Sequence, residues 1–130
     1  MQTKAQTLGK LELEVLKIVW NKPGCTVPEA TEVLAAKHGY ARTTILTVIQ
    51  RLHKKGFLRR EKAKGVFRYQ ATEKKTTVLG KLTRQFVDST FEGSSASLVQ
   101  HLTNGSVSTE ELSRIRKIID DALAAEGEAK

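Results

Sequence analysis

The sequence predicts a mainly α-helical fold with one small β-hairpin, divided into two domains. Three amphipathic helical patterns come first. Gly56 then ends the helical periodicity, and a strand-like alternation runs to Ala71. Beyond it the pattern is helical again. We therefore predict one domain over residues 1–71 and a C-terminal helical domain over residues 72–130.

The first two helices have clear local signals. Apolar residues at helical spacing predict the first helix over residues 8–20, and a proline–glycine turn follows it. The second helix begins after Thr26, whose hydroxyl is expected to cap the backbone while Glu29 completes a capping box. Gly39 is predicted to end this helix, because glycine readily adopts the left-handed conformation found there.

The third helix is predicted from Arg42 to Lys55. Its core-facing side consists of aliphatic residues: Ile45, Val48, Ile49 and Leu52. The opposite side is small, polar and free of carboxylates: Thr43, Thr47, Gln50 and Lys54. Reading of the DNA major groove requires such a face, because a carboxylate there would repel the phosphates. The alternative is an ordinary amphipathic surface helix, which would look similar on its apolar side.

Two short strands, residues 57–62 and 66–71, are predicted around a turn at residues 63–65. Phe67 and Tyr69 share one strand face by the period-two rule. The hairpin is the most basic local element of the chain: Arg59, Arg60, Lys62, Lys64 and Arg68. Three helices followed by a basic hairpin form a winged helix-turn-helix domain. In that arrangement the third helix enters the major groove and the hairpin, or wing, contacts flanking phosphates.

Local signals divide the C-terminal half into three helices. The first is predicted to open with Thr72 as its cap. The second is short and is capped by the serines at positions 94–95. A capping box of Ser108 and Glu111 begins the third, and residues 126–130 are predicted to fray.

The C-terminal helices carry apolar stripes that so small a unit cannot bury by itself. These residues are Leu79, Leu82, Phe86, Phe91, Leu98, Leu102, Leu112, Ile115, Ile119 and Leu123. We predict that a second copy of the chain covers them, which makes this part a dimerisation domain. The alternative is that the helices fold back on the N-terminal ones. Dimerisation also suits DNA reading, because a symmetric dimer binds a symmetric operator.

The positive charge is concentrated in the first half of the chain. The formal net charge is +8; residues 1–71 contain 14 Lys/Arg and 5 Asp/Glu, and the remainder contains 8 and 9. A polyanionic partner for the first half is the favoured interpretation, and a merely solvated surface is the alternative. Charge alone does not separate DNA from RNA or from an anionic membrane.

Other chemistry finds little support in the sequence. His38, His53 and His101 are far apart and lie near no cluster with metal-ligand spacing. Phosphate-binding glycine loops and nucleophile motifs are absent, so we expect no enzyme, no metal and no cofactor. Cys25 is interpreted as a small packing residue, with a redox role as the alternative. A lone thiol, together with no secretory signal or membrane span, predicts a cytoplasmic protein.

The segment ARTTILTVIQRLHKKGFLRR, residues 41–60, resembles the BlaI/MecI/CopY family of bacterial repressors. The similarity extends to KGVFRYQA, residues 64–71, and to LGKLELEVLKIVW, residues 8–20. Order and spacing then match to the last helix, so the resemblance covers nearly the whole chain. It implies repression by operator occlusion, usually of genes for β-lactam resistance or metal homeostasis.

Several site residues follow from the resemblance. Thr44 and Thr47 stand where the family has threonines at the DNA surface, and Arg51 matches a basic residue of the same helix. Tyr69 matches a wing tyrosine. The resemblance therefore implies that all four contact DNA.

The chain also departs from the family pattern. Thr43 and Leu46 stand where the best-known members carry basic residues, so base preference need not follow theirs. Members controlled by a membrane sensor-protease are cut at an Asn-Phe bond, where this chain has Gln-His-Leu at residues 100–102. Copper-responsive members carry paired Cys-x-Cys motifs, which this sequence lacks. A membrane sensor-protease is left open as a partner, and neither a β-lactam nor a copper signal is implied.

The leading hypothesis is a homodimeric, sequence-specific transcriptional repressor that occludes a dyad-symmetric operator in double-stranded DNA. The competing hypothesis is a winged-helix protein-interaction module without DNA binding. RNA binding is disfavoured, because Phe67 and Tyr69 alone make no stacking platform. The third-helix residues predicted to contact DNA are Arg42, Thr43, Thr44, Leu46, Thr47, Gln50, Arg51 and Lys54. The predicted wing contacts are Lys62, Lys64, Arg68 and Tyr69.

Overall fold

A computed structural model describes residues 8–129, which form six helices and one antiparallel hairpin. The N-terminal elements are α1 (Lys10–Asn21), α2 (Val27–His38), α3 (Arg42–Lys55), β1 (Leu58–Ala63) and β2 (Val66–Ala71). The C-terminal elements are α4 (Lys75–Thr90), α5 (Ser95–Thr103) and α6 (Thr109–Ala129). The predicted class, mainly helical with a small hairpin, is confirmed.

The chain divides into two compact units between Leu82 and Thr83, inside α4. The first unit comprises the described residues 8–82, and the second comprises residues 83–129. The sequence-predicted boundary after Ala71 coincides instead with the end of β2. No helix in the described part of the chain is long and apolar enough to cross a membrane.

The core of the first unit is built by α1, α2, α3 and the hairpin. Its buried side chains are Val15, Leu16, Val19, Cys25, Ala30, Leu34, Ile45, Val48, Ile49, Leu52, Leu58 and Tyr69. The four aliphatic residues predicted on the core-facing side of α3 are all buried. Burying a Leu, Ile or Val side chain contributes about 1.5–3 kcal/mol, so α3 is held firmly by one face.

Local capping chemistry sets the ends of α2 and α3. Thr26 Oγ1 accepts a hydrogen bond from Glu29 N at 3.3 Å, and the Glu29 carboxylate accepts one from Thr26 N at 2.9 Å. This is the predicted capping box. Gly39 ends α2 with φ 74°, and Gly56 ends α3 with φ 90°. Both glycines adopt the left-handed conformation that a side chain would strain.

Two boundary predictions for the C-terminal helices are wrong. Thr72 does not cap α4, which begins at Lys75. Its hydroxyl donates instead to the carbonyl oxygen of Gly56 at 2.7 Å, which ties the end of the hairpin to the end of α3. The predicted fraying over residues 126–130 is also wrong as far as the described residues extend, because α6 continues to Ala129.

Candidate nucleic-acid interface

The outer face of α3 carries all the residues of this helix that the sequence predicted to contact DNA. Each of them is exposed: Arg42, Thr43, Thr44, Leu46, Thr47, Gln50, Arg51 and Lys54. The 14 residues of α3 include no aspartate or glutamate and span about 21 Å at 1.5 Å per residue. This face therefore presents hydroxyls, an amide and positive charges along the length that a groove-lying helix needs.

Thr47 lies near the middle of this face. Its Oγ1 donates a hydrogen bond to the carbonyl oxygen of Thr43 at 2.9 Å. That bond uses the donor and fixes the side-chain orientation, while the hydroxyl lone pairs stay available as acceptors. The exposed side chain thus offers an acceptor and a methyl group, two features that base edges in the major groove can recognise.

An ion pair fixes the C-terminal end of α3 to the beginning of α1. Lys55 Nζ lies 3.0 and 2.9 Å from the two carboxylate oxygens of Glu12, which is only 4% exposed. Gly9 N donates to the same carboxylate at 2.8 Å. Burial by itself would raise the pKa of Glu12, but the bond from Gly9 and the charge of Lys55 outweigh it, so that the pKa is lowered.

Sequence reasoning missed this ion pair. Glu12 and Lys55 are 43 positions apart, and an acidic residue in the first turn of a helix is ordinarily an exposed one that stabilises the helix dipole. The pair connects two helices through a buried carboxylate, so it contributes to the position of α3 rather than to its DNA-facing surface.

A two-residue turn, Lys64-Gly65, joins the strands of the hairpin. Both residues have positive φ angles, 53° and 78°, as a type I′ turn requires. The sequence predicted a three-residue loop that began at Ala63, but Ala63 pairs with Val66 and extends the hairpin. Lys64 consequently lies at the tip, where its side chain is exposed.

The strand register gives the hairpin two different faces. One face bears Arg60, Lys62, Phe67 and Tyr69. The other face bears Arg59, Glu61, Arg68 and Gln70. The single carboxylate of the two strands, that of Glu61, therefore lies on the side away from Arg60 and Lys62.

The structure corrects the prediction of Tyr69 as a DNA contact, because its side chain is 2% exposed and lies in the core. Its backbone is also engaged: Tyr69 N donates to Cys25 O at 2.9 Å, and Gly24 N donates to Tyr69 O at 2.8 Å. The period-two rule places Phe67 and Tyr69 on one face. It does not show that the core covers the base of the hairpin and leaves the tip exposed.

Arg60 and Arg68 lie on opposite faces of the hairpin and have different surroundings. Arg68 Nη1 donates to the carbonyl oxygen of Gly24 at 3.0 Å, so part of this guanidinium fastens the hairpin to the turn before α2. Arg60 stacks over the exposed ring of Phe67, with its guanidinium carbon 4.1 Å from the ring centroid. The sequence-predicted wing contacts omitted Arg60. Phe67 could be recognised as the partner of Arg60 only from the strand register, which the structure supplies.

The lone cysteine, Cys25, lies in the core of the first unit. Cys25 is 1% exposed, and burial raises the pKa of its thiol. A buried thiol that stays protonated is inert, which disfavours the redox alternative. Among residues 8–129, no group of three or more His, Cys, Asp or Glu side chains could hold a metal ion.

The residues predicted to dimerise are mostly accessible. Five of those in the second unit are exposed by 40–67%: Phe86, Leu102, Leu112, Ile119 and Leu123. The others are half-buried, including two in the first unit: Leu79, Leu82, Phe91, Leu98 and Ile115. Sequence reasoning missed Ile118, which is 63% exposed on α6. The apolar stripe of α6 is therefore wider than predicted.

Comparison with known proteins identifies relatives over nearly the whole chain. The penicillinase repressor family matches residues 8–121. The methicillin resistance regulatory protein MecI of Mammaliicoccus sciuri is 27% identical over 121 residues, which cover 92% of this chain and 98% of MecI. The similarity therefore includes both units.

Solved structures are similar in fold. The solution structure of the Bacillus licheniformis BlaI monomeric form in complex with the blaP half-operator is 30% identical, with a TM-score of 0.50, and covers 56% of this chain and 89% of that chain. A MarR family transcription regulator with 16% identity and a TM-score of 0.55 covers 98% of this chain and 77% of its own; this similarity supports the winged-helix fold alone. On the family match, the chain belongs to the penicillinase repressor family.

Proposed function

We propose that the protein is a homodimeric transcriptional repressor that binds a dyad-symmetric DNA operator and occludes it. The observation that carries the proposal is the exposed, carboxylate-free face of α3, held on a buried core by its opposite side. The family match supports it, as does the similarity to a BlaI form bound to a half-operator.

The N-terminal part of α3 is proposed to read base edges. Arg42, Thr43, Thr44 and Thr47 approach the bases, with Leu46 as an apolar contact to thymine methyl groups. Gln50, Arg51 and Lys54 extend this contact or hold phosphates. Phosphate contacts set the register of the protein on the duplex, while base contacts set its sequence preference.

The exposed tip of the hairpin is proposed to contact flanking phosphates through Lys62 and Lys64. We add Arg60 to this set, because stacking on Phe67 already restricts its guanidinium, so that less side-chain ordering is needed on binding. Arg68 contributes to the phosphate contacts as well, but its guanidinium already donates a hydrogen bond to Gly24 O. We therefore assign it mainly to anchoring the hairpin.

The second unit is proposed to join two copies of the chain. Its exposed apolar side chains on α4, α5 and α6 need a partner surface, and a second copy supplies a matching one by two-fold symmetry. Two linked α3 helices then bind two half-sites, which raises affinity above that of one half-site by effective concentration.

The test is fluorescence anisotropy with duplex DNA from upstream of the protein's own gene, against a shuffled duplex and an RNA of the same sequence, over a range of salt concentrations. The proposal predicts saturable binding of two chains per duplex and preference over the shuffled DNA and the RNA. Equally weak and salt-sensitive binding to all three would contradict sequence-specific reading. No binding would favour the protein-interaction module instead.

A further inference from the structure

A groove of about 400 Å³ lies in the first unit, lined by residues of α1, α2 and the first residue of α4. No residue of α3 or of the hairpin lines it, so the proposed DNA interface makes no use of it. Its volume falls in the range of small-molecule sites, roughly 300–1,000 Å³.

Four of the residues that line the groove are apolar, and one of them is the chain's single tryptophan. Trp20 Nε1 donates to the carbonyl oxygen of Glu73 at 3.0 Å, which fixes the orientation of the indole. Ile18 and the almost fully buried Leu34 also line the groove, and Val33 is 46% exposed there. A flat aromatic side chain beside aliphatic ones favours an apolar ring as occupant.

Three lysines from three different helices also line the groove: Lys17, Lys37 and Lys75. Within the described residues none of them lies within 4.0 Å of a carboxylate oxygen. Glu14 is the single acidic residue that lines the groove. The positive potential of three lysines beside these apolar side chains favours an anion at this place.

We propose that this groove binds a small aromatic carboxylate. The ring lies on Trp20 and the neighbouring aliphatic side chains, and the carboxylate accepts hydrogen bonds from the lysine ammonium groups at the edge. Such charge-assisted bonds discriminate strongly between an acid and its neutral amide. The proposal does not rest on the DNA-binding function, because neither the groove nor its test involves DNA.

Trp20 makes the test direct, since it is the one tryptophan of the chain and it lines the groove. The full-length protein is titrated with benzoate, phenylacetate and 4-phenylbutyrate, and with the matched neutral amides, up to millimolar concentrations. We expect a saturable change in Trp20 emission with at least one carboxylate, and binding of its amide weaker by about tenfold or more. No saturable change with any carboxylate, or equal binding of acid and amide, would overturn the proposal.

Variants locate the binding. Lys37→Gln and Lys75→Gln should each weaken carboxylate binding several-fold, whereas Lys74→Gln removes the neighbouring charge outside the groove and should leave the affinity unchanged. Val33→Glu places a carboxylate on an already exposed side chain and should abolish binding with an unchanged far-ultraviolet circular dichroism spectrum. Equal effects of Lys74→Gln and Lys75→Gln, or normal binding by Val33→Glu, would show that the anion binds elsewhere and contradict the assignment.

Discussion

The first unit buries apolar side chains from three helices and the hairpin in one core, whereas the second unit buries very few. In the first, every residue of the aliphatic side of α3 is covered. Among the described residues of the second, Val87 is the single hydrophobic side chain that is buried, while Ile118 and Leu123 are exposed by 63% and 67%. Both regions have amphipathic helices, so the difference lies in what is available to cover them.

This difference in burial indicates different roles for the two units. The first unit closes its core within one chain and leaves a polar, basic face outside, as a DNA-reading domain needs. The second unit keeps an apolar face that monomeric proteins rarely leave exposed over a wide area. The contrast supports assigning DNA reading to one unit and self-association to the other, and variants in each unit can break that assignment.

The largest effect is expected from a double substitution on α6, Leu112→Glu with Ile119→Glu. Both side chains are 40–45% exposed, so the variant should fold, but two carboxylates in the apolar stripe oppose association. We expect a monomer in sedimentation velocity and an operator affinity lower by about a hundredfold, because the linkage of half-sites is lost. Lys117→Glu, on a different face of α6, is the control and should remain dimeric. A dimeric double variant would contradict the role of the second unit.

The next effect is of similar size on affinity but leaves the oligomeric state unchanged, and it concerns the outer face of α3. Thr47→Glu places a carboxylate against the DNA and should lower operator affinity by about a hundredfold, because like charges brought together cost several kcal/mol. The dimer and its melting temperature should be unchanged, as sedimentation and thermal unfolding will show. Thr76→Glu, which adds the same charge at an exposed position of α4, is the control. Wild-type affinity in Thr47→Glu would remove α3 from the interface.

A smaller effect is expected on the stability of the first unit. Glu12→Gln removes the buried carboxylate that binds Lys55 and should lower the free energy of unfolding by about 1–3 kcal/mol at pH 7, measured by urea titration of Trp20 fluorescence. Because folding lowers the pKa of Glu12, the ion pair contributes fully above the unfolded pKa, near 4.5, and its contribution is lost as pH falls through the folded pKa.

The difference in unfolding free energy between wild type and Glu12→Gln should therefore shrink as the pH falls below the unfolded pKa of Glu12, near 4.5. Glu14→Gln changes the same helix at a residue that forms no ion pair among the described residues, and should have little effect at any pH. A difference between wild type and Glu12→Gln that is constant with pH would contradict the ionised state of Glu12.

The smallest effect is expected in the wing. Arg60→Ala and Lys64→Ala should each weaken binding to operator and shuffled DNA alike and should lower the salt dependence by about one charge. Arg59→Ala removes the same charge from the opposite face, where Arg59 Nη2 donates to Gln70 Oε1 at 3.2 Å, and should have a weaker effect. Equal effects of Arg59→Ala and Arg60→Ala would show that only the total charge of the hairpin matters.

Features set by neighbouring residues were predicted well from the sequence. The capping box of Thr26 and Glu29 and the glycine at the end of α3 act within a few positions, so a pattern is enough to find them. The exposed and buried sides of α3 likewise follow from helical periodicity, and the structure confirms the buried one at Ile45 and Val48.

Features set by distant contacts were not predictable. Thr72 looks like a helix cap, but its hydroxyl finds Gly56 O across the fold. Tyr69 looks like an exposed wing residue, but the core covers it, and Glu12 pairs with a lysine two helices away. Each of these outcomes depends on which elements pack together, and a single sequence does not encode that information in a local pattern.

The central claim is that the first unit reads DNA and the second unit joins two copies. Native mass spectrometry of the protein with a full operator duplex and with a half-site duplex tests it most directly. The claim predicts that two wild-type chains bind the full operator. It also predicts that the Leu112→Glu, Ile119→Glu variant dissociates from this operator at concentrations where the wild type stays bound. The claim would be contradicted if the wild type bound the full operator as a single chain and no more tightly than the Leu112→Glu, Ile119→Glu variant.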